Sequence, residues 1–212
     1  IRAQNKGLGW RYGFRPGDND TSVTGWVVLA LKACKTAPIT SPTQAEFHRA
    51  FRGALKWIDK ATDFQQGTTG YQSPTDKREH SVYCMTSVGI LCRIFAGQRR
   101  SSPVIRKGVE FILKRLPVWK PERRARAKTI NMYYWYYGSY ALFQYGGKPW
   151  RIWNEAMKKA LLSSQRVGGC ADGSWDPIGQ WGPHGGRVYS TALGAMTLEV
   201  YYRFVRATGR EF

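Results

Sequence analysis

Acidic residues are scarce in this chain: over 212 residues, 14 Asp and Glu stand against 33 Lys and Arg, a formal charge of +19. That deficit is unusual for an enzyme of neutral ligands and favours an acidic partner such as phosphate, anionic lipid or nucleic acid, among which charge alone does not choose. Cysteines are few and scattered. Cys34, Cys84, Cys92 and Cys170 include no Cys-x-x-Cys pair, so neither a disulfide framework nor a zinc ribbon is indicated. Apolar runs stop short of the roughly 20 residues that a membrane-spanning helix needs. The first residues lack the charged-then-apolar pattern of a secretory signal, and the compartment is left open. No strand-type alternation competes anywhere along the chain, which leaves helix as the organising element. The chain starts at Ile1 rather than at a methionine, and the expectation is a processed product or the C-terminal part of a longer protein.

What the sequence does contain is internal similarity. Four segments each place a Gly- and aromatic-rich loop ahead of an apolar or small-residue stretch: "GLGWRYGFRPGDNDTSVTGWVVLAL", "TGYQSPTDKREHSVYCMTSVGIL", "RAKTINMYYWYYGSYALF" and "DGSWDPIGQWGPHGGRVYSTALGAMTL". With Val23, Val82, Met132 and Val188 taken as equivalent, the period is roughly 50 to 60 residues, longer than tetratricopeptide or ankyrin repeats and suited to a helical hairpin. Between the copies lie amphipathic stretches. Phe47, Phe51, Leu55 and Ile58 form one stripe, Val104, Val109, Ile112 and Leu116 a second, and Trp153, Met157, Leu161 and Leu162 a third. Such stripes predict outer helices with one wet face, whereas 22–36, 80–96, 130–145 and 187–206 are apolar or small around much of their circumference and predict inner helices packed on several sides. Prolines at 42, 103 and 149 sit near the start of each outer stretch, where a missing amide hydrogen costs nothing. About seven helices and an all-α fold are expected, in one domain spanning 1–212 that is large enough to bury about 70% of its unfolded surface.

The loops "GLGW", "TGY" and "GSW", with a glutamine upstream in "AQNKGLGW", "QQGTTGY" and "SSQRVGGCADGSW", resemble the Gln-Trp repeats of terpenoid cyclases and protein prenyltransferases. The resemblance covers most of the chain and is clearest in 4–36, 65–97 and 160–206. It implies an α/α toroid of inner and outer helical hairpins. A complete toroid of this type has six hairpins, and this chain carries about three and a half, so an incomplete ring is expected, completed by the missing part of a larger chain or by another subunit.

The resemblance also directs attention to particular residues. Asp18 and Asp20 are the candidate catalytic acids, because squalene-hopene-type cyclases protonate substrate with the central acid of an Asp-x-Asp-Asp-Thr-Ala motif at an inner helix start. The matching stretch is Gly17-Asp18-Asn19-Asp20-Thr21-Ser22. Asn19 stands at the central position, and an amide cannot supply a strongly acidic proton. Asp20 reads better as a helix N-cap, and Asp18 as a turn residue or a partner of Arg11 or Arg15. Prenyltransferase β subunits hold zinc through Asp-x-Cys and a distant histidine. His80 and Cys84 share a helix face, and His184 follows on a later loop, but Val82 occupies the place of the aspartate. No cofactor is expected, with zinc on His80, Cys84 and His184 as the alternative.

Parallel inner helices would gather their N-termini, and with them Arg78, His80, Lys128, His184 and Arg187, at one anion-attracting mouth. Tyr134, Trp135 and Tyr189 would supply aromatic surface below it, either as ring faces for a ligand or as core. The run from Arg93 to Lys128 carries twelve basic residues against Glu110 and Glu122, and "KPERRARAK" reads as an exposed loop able to meet phosphate or anionic lipid. The function expected is a binding or scaffold module without the cyclase acid, its ligand an anionic small molecule, an isoprenoid or an anionic lipid surface. An isoprenoid-processing enzyme of the terpene cyclase or prenyltransferase type is the alternative. Nucleic acid is not favoured, since no reading helix or single-strand platform is recognisable.

Overall fold

The computed structural model describes residues 1–37, 41–76, 79–120 and 129–203. Within them the chain is largely helical, with eight α-helices and one two-stranded hairpin: α1 Thr21–Thr36, α2 Gln44–Lys60, β1 Thr62–Asp63, β2 Thr68–Thr69, α3 Glu79–Phe95, α4 Pro103–Leu113, α5 Met132–Tyr145, α6 Gly147–Leu162, α7 Gly182–Leu198 and α8 Val200–Arg203. The seven longer helices fall on the stretches that periodicity marks out. No helix among the described residues is long and apolar enough to cross a membrane. The chain divides into two compact units, Ile1–Phe111 and Ile112–Phe212, and the division falls in the last turn of α4.

In the first unit α1 packs on α2 and α3, and α2 packs on α3. α2 opens with a capping box. The Thr43 hydroxyl accepts from the Glu46 amide while the Glu46 carboxylate accepts from the Thr43 amide at 2.8 Å, satisfying two of the donors that a helix start leaves orphaned. Its buried stripe is Phe47, Ala50, Phe51, Gly53, Ala54, Trp57 and Ile58. Leu55, expected on that stripe, is only half-buried; the buried face takes in Ala50, Gly53 and Ala54 instead, small residues that let the N-terminal loop come close at Gly53.

The hairpin was not foreseen. It pairs Thr62 with Thr69 and Asp63 with Thr68, and its turn is drawn in by the Asp63 carboxylate, which accepts from the amides of Gln65 and Gln66 at 2.9 and 3.1 Å. Two residue pairs are too short to show as alternation. Behind it lies Arg93, 2% exposed, whose guanidinium donates to Asp59 at 2.7 Å, Gln98 at 3.2 Å and the Thr62 hydroxyl at 3.1 Å and lies over the Phe64 ring. Arg93 therefore leaves the exposed basic run to which its place in the sequence assigns it. It joins the ends of α2 and α3 to the hairpin, and a buried cation with all these partners avoids the penalty of an unpaired one.

In the second unit α5 packs on α6, α7 and α8. Every residue of α5 except Tyr133 and Tyr145 is buried, the pattern of a helix covered on several sides. Tyr134 meets Trp153 edge-to-face at 5.3 Å, and the Trp153 indole donates to the Ser139 hydroxyl at 2.8 Å. α6 buries Trp153, Met157 and Leu161, while Leu162, placed on the same stripe by sequence, is 57% exposed. It falls on the far side of the helix from that seam. α7 contains a kink at Gly186, where φ is 68°.

Candidate functional site

The loop before α1 carries the candidate acids, and its residues hold one another in place. Asp20 is fully buried and caps α1, its Oδ1 accepting from the Val23 amide at 2.6 Å. Its Oδ2 receives Arg11 at 3.1 Å. Tyr71 also bonds to it, and burial together with the Asp20 carboxylate pushes the Tyr71 phenol up to about 12. Asp18 is more exposed and pairs with Arg11 Nε at 2.7 Å, one of the partners its position offers. Asn19 is buried and accepts from the Asn5 amide group at 3.1 Å. Asn5 in turn accepts from the Gly17 amide at 3.0 Å, so an asparagine that sequence reasoning passed over pins the whole turn. Each oxygen of Asp20 thus has a structural partner, and the position beside it holds an amide that donates no proton to an alkene.

The glutamine and tryptophan of this loop have defined tasks. Gln4 Nε2 donates to the Leu8 carbonyl at 2.6 Å and to the Ala50 carbonyl of α2 at 3.0 Å, closing the loop and tying it to α2. The Trp10 amide donates to the Thr24 hydroxyl of α1 at 3.0 Å. The second unit repeats the plan. Gln165 Nε2 donates to the Gly173 carbonyl at 2.8 Å, and the Trp175 amide to the Thr191 hydroxyl of α7 at 3.3 Å. In both loops the glutamine grips the carbonyl two residues before the tryptophan. At α3 the Thr69 amide donates to the Thr86 hydroxyl at 3.0 Å. Threonine acceptors on the helices were not anticipated, although Thr24 and Thr86 each stand within the first half of their helix.

The remaining candidates separate by location. Arg187 donates to the Ser174 hydroxyl at 2.9 Å and to Asp176 at 2.8 Å; Arg166 grips the same carboxylate, and the Arg166 hydrogen bond is the main reason that Asp176 is held below the ordinary carboxylate range. His184 is exposed beside Trp181, ring centres 6.2 Å apart. Tyr134 is buried and its hydroxyl donates to the carbonyls of Ile112 and Arg115, each at 2.9 Å. Trp135 is 1% exposed, against Trp119, and Tyr189 is half-buried. Cys84 is buried, and desolvation pushes its thiol well above its ordinary value, which opposes the thiolate form that ligates zinc. Arg78, Lys128, the side chain of His80 and the basic run from Pro121 onward lie outside the described residues. Among the described residues no three His, Cys, Asp or Glu side chains are grouped to hold a metal ion.

Comparison with family models, with curated proteins and with solved structures finds no match.

Proposed function

We propose that this chain is a non-catalytic binding module, built from helical hairpins of the terpenoid-cyclase and prenyltransferase repeat type, with an anionic ligand. In this reading α1, α3, α5 and α7 are inner helices and α2, α4 and α6 outer helices of an incomplete α/α toroid, and the Gln-Trp loops are the fold's stitching. The observation that carries it is the state of Asp20: fully buried, capping α1 and paired with Arg11, beside an Asn19 engaged by Asn5. A group bonded in this way to a helix start, a guanidinium and a phenol serves stability rather than proton transfer. The charge of +19 supports the anionic character of the partner.

The test has two arms. Incubation with squalene, and with isoprenoid diphosphates in the presence of magnesium, is expected to yield no cyclised or transferred product. Titration with multivalent phosphate is expected to give binding that weakens steeply with salt, since exposed cations are screened over about 10 Å at moderate ionic strength. Turnover that disappears in Asp20→Asn would overturn the reading in favour of the isoprenoid-processing enzyme.

A further inference from the structure

Resting on the reading of this chain as an anion binder, we infer that a cleft between the N-terminal loop and α2, on the first unit, is the site for a ligand that presents two or more phosphate groups. The cleft has a volume of about 440 Å³ and is lined on one side by Lys6 and Arg15 and on the other by Arg49, Arg52 and Lys56, with Glu46 as its one carboxylate. None of these residues belongs to the helix-start cluster that the repeat pattern singles out.

The floor is fixed. Gln4, whose amide bonds to Leu8 and Ala50, lies against Gly53, where a Cβ would stand 2.5 Å from Gln4 Nε2 and 2.7 Å from the Leu8 carbonyl oxygen. A glycine in the middle of a helix costs about 1 kcal/mol relative to alanine, and here its missing side chain lets the loop sit directly on α2. One wall is held too: Arg15 Nε donates to the Arg2 carbonyl at 2.8 Å, and its guanidinium lies over the Phe14 ring at 5.2 Å. The two walls are thereby kept at a set separation before any ligand arrives, which lowers the ordering cost of binding.

The charges point to the ligand class. Arg49, Arg52 and Lys56 follow one another at three- and four-residue spacing and form a ladder along about 10 Å of α2. Like charges at that spacing each cost a few tenths of a kcal/mol. Glu46 is held at the helix start by the Thr43 amide at 2.8 Å and hydroxyl at 2.9 Å and attracts Arg49, so it offsets one rung of the ladder rather than all three. Lys6, Arg52 and Lys56 form no ion pair among the described residues. A single phosphate is matched by about two such cations. Five around one cleft match a run of phosphates, and the planar guanidinium forks favour phosphate oxygens over a simple halide. The side chains of Lys6, Arg15, Arg49, Arg52 and Lys56 ring the cleft, so the site recognises the phosphate end of its ligand. The source can be a soluble polyphosphate compound or lipid headgroups. Tyr12 and Phe14, 73% and 68% exposed on the loop that carries Arg15, are placed to enter a bilayer interface in the second case.

Inorganic tripolyphosphate, inorganic phosphate, and phosphatidylcholine vesicles with and without phosphatidic acid are the probes, applied to the full chain by calorimetry and by vesicle co-sedimentation. Tripolyphosphate is expected to bind at least tenfold more tightly than phosphate. The variant Arg49→Gln/Arg52→Gln/Lys56→Gln, which keeps helix propensity, is expected to lose at least tenfold in affinity, while Arg151→Gln/Lys158→Gln/Lys159→Gln on α6 carries the same charge change and is expected to lose no more than about twofold, a small non-local screening effect. Binding of acid vesicles that depends on both the α2 ladder and Tyr12→Ser/Phe14→Ser assigns the lipid source; tripolyphosphate binding indifferent to the aromatic pair assigns the soluble one. Equal loss in the α2 and α6 variants would overturn the site and leave the anion-binding function standing. No binding of any probe would overturn both.

Discussion

The loops before α1 and α7 share one plan and solve it with opposite materials. Each has a glutamine that closes the turn and a tryptophan whose amide donates to a threonine on the following helix. In the first loop the close approach is absorbed by the loop itself: a Cβ on Gly9 would collide with the Thr24 hydroxyl and stand 3.1 Å from the Trp57 ring. In the second, Ser174 occupies the place before the tryptophan and bonds to Arg187, and the room is made on the helix, where a Cβ on Gly194 would stand 2.7 Å from the Trp175 ring. The acids differ likewise. Asp20 is fully buried and caps its helix, whereas Asp176 is partly exposed, bridges Arg166 and Arg187, and leaves α7 to begin without a side-chain cap. The lesson is that the backbone closure of the loop is what the two units hold in common, and the charged groups are fitted to it locally.

The substitution expected to break this comparison most severely is Asp20→Ala. It removes a cap worth about 1 kcal/mol and strands the partners of a buried carboxylate, for a total of about 2–3 kcal/mol, with hydrogen exchange accelerated across 21–36 and unchanged across 182–198. Asp176→Ala is expected to cost less than about 1 kcal/mol, because its pairs are solvated. Next in size are the two glycines. Gly9→Ala and Gly194→Ala should each cost about 2 kcal/mol through overpacking, measured by urea unfolding, and exchange should report each loss in its own unit. The threonines sharpen the comparison further. Thr24→Val leaves the Trp10 amide unpaired and is expected to cost about 1–2 kcal/mol, whereas Thr191→Val, which breaks a longer and half-buried bond, should cost about 0.5 kcal/mol.

These differences explain what was legible in the sequence. Helix positions could be read because amphipathic stripes and all-round apolar stretches report burial directly, and Asp20 could be read as a cap because capping depends on two or three adjacent residues. Arg93 could not. Its partners Asp59 and Thr62 lie on α2 and β1, 34 and 31 residues away, with Gln98 in the turn after its own helix, and nothing in the basic run around it distinguishes a buried guanidinium from solvated ones. Asn5, Thr24 and Thr191 were hidden for the same reason, since their bonds join segments fourteen or more residues apart, or cross a turn whose course only packing decides. The cleft on α2 was the hardest to see. Arg49, Arg52 and Lys56 occupy the wet face of an amphipathic helix, where basic residues need no special explanation until Gln4 and Gly53 bring Lys6 and Arg15 opposite them.

The smallest effect, and the one that separates the two loops most cleanly, is their response to pH. Asp176 is held below the ordinary carboxylate range by Arg166 and Arg187. Its contribution is therefore present above the unfolded carboxylate value of about 4 and is lost as pH falls through the lower folded value. The Tyr71 phenol beside Asp20 is raised to about 12, so its contribution is complete below the unfolded value of about 10 and is lost as pH rises through the folded one. The α7 loop should loosen on the acid side and the α1 loop on the alkaline side. Chemical shifts of the Trp175 and Trp10 indoles, followed from acid to alkaline pH, check this directly, and Asp176→Asn should abolish the acid transition alone. An acid transition at Trp175 that persists in Asp176→Asn would detach the loosening of the α7 loop from the bridging carboxylate, and the contrast between the two loops in their response to pH would fall.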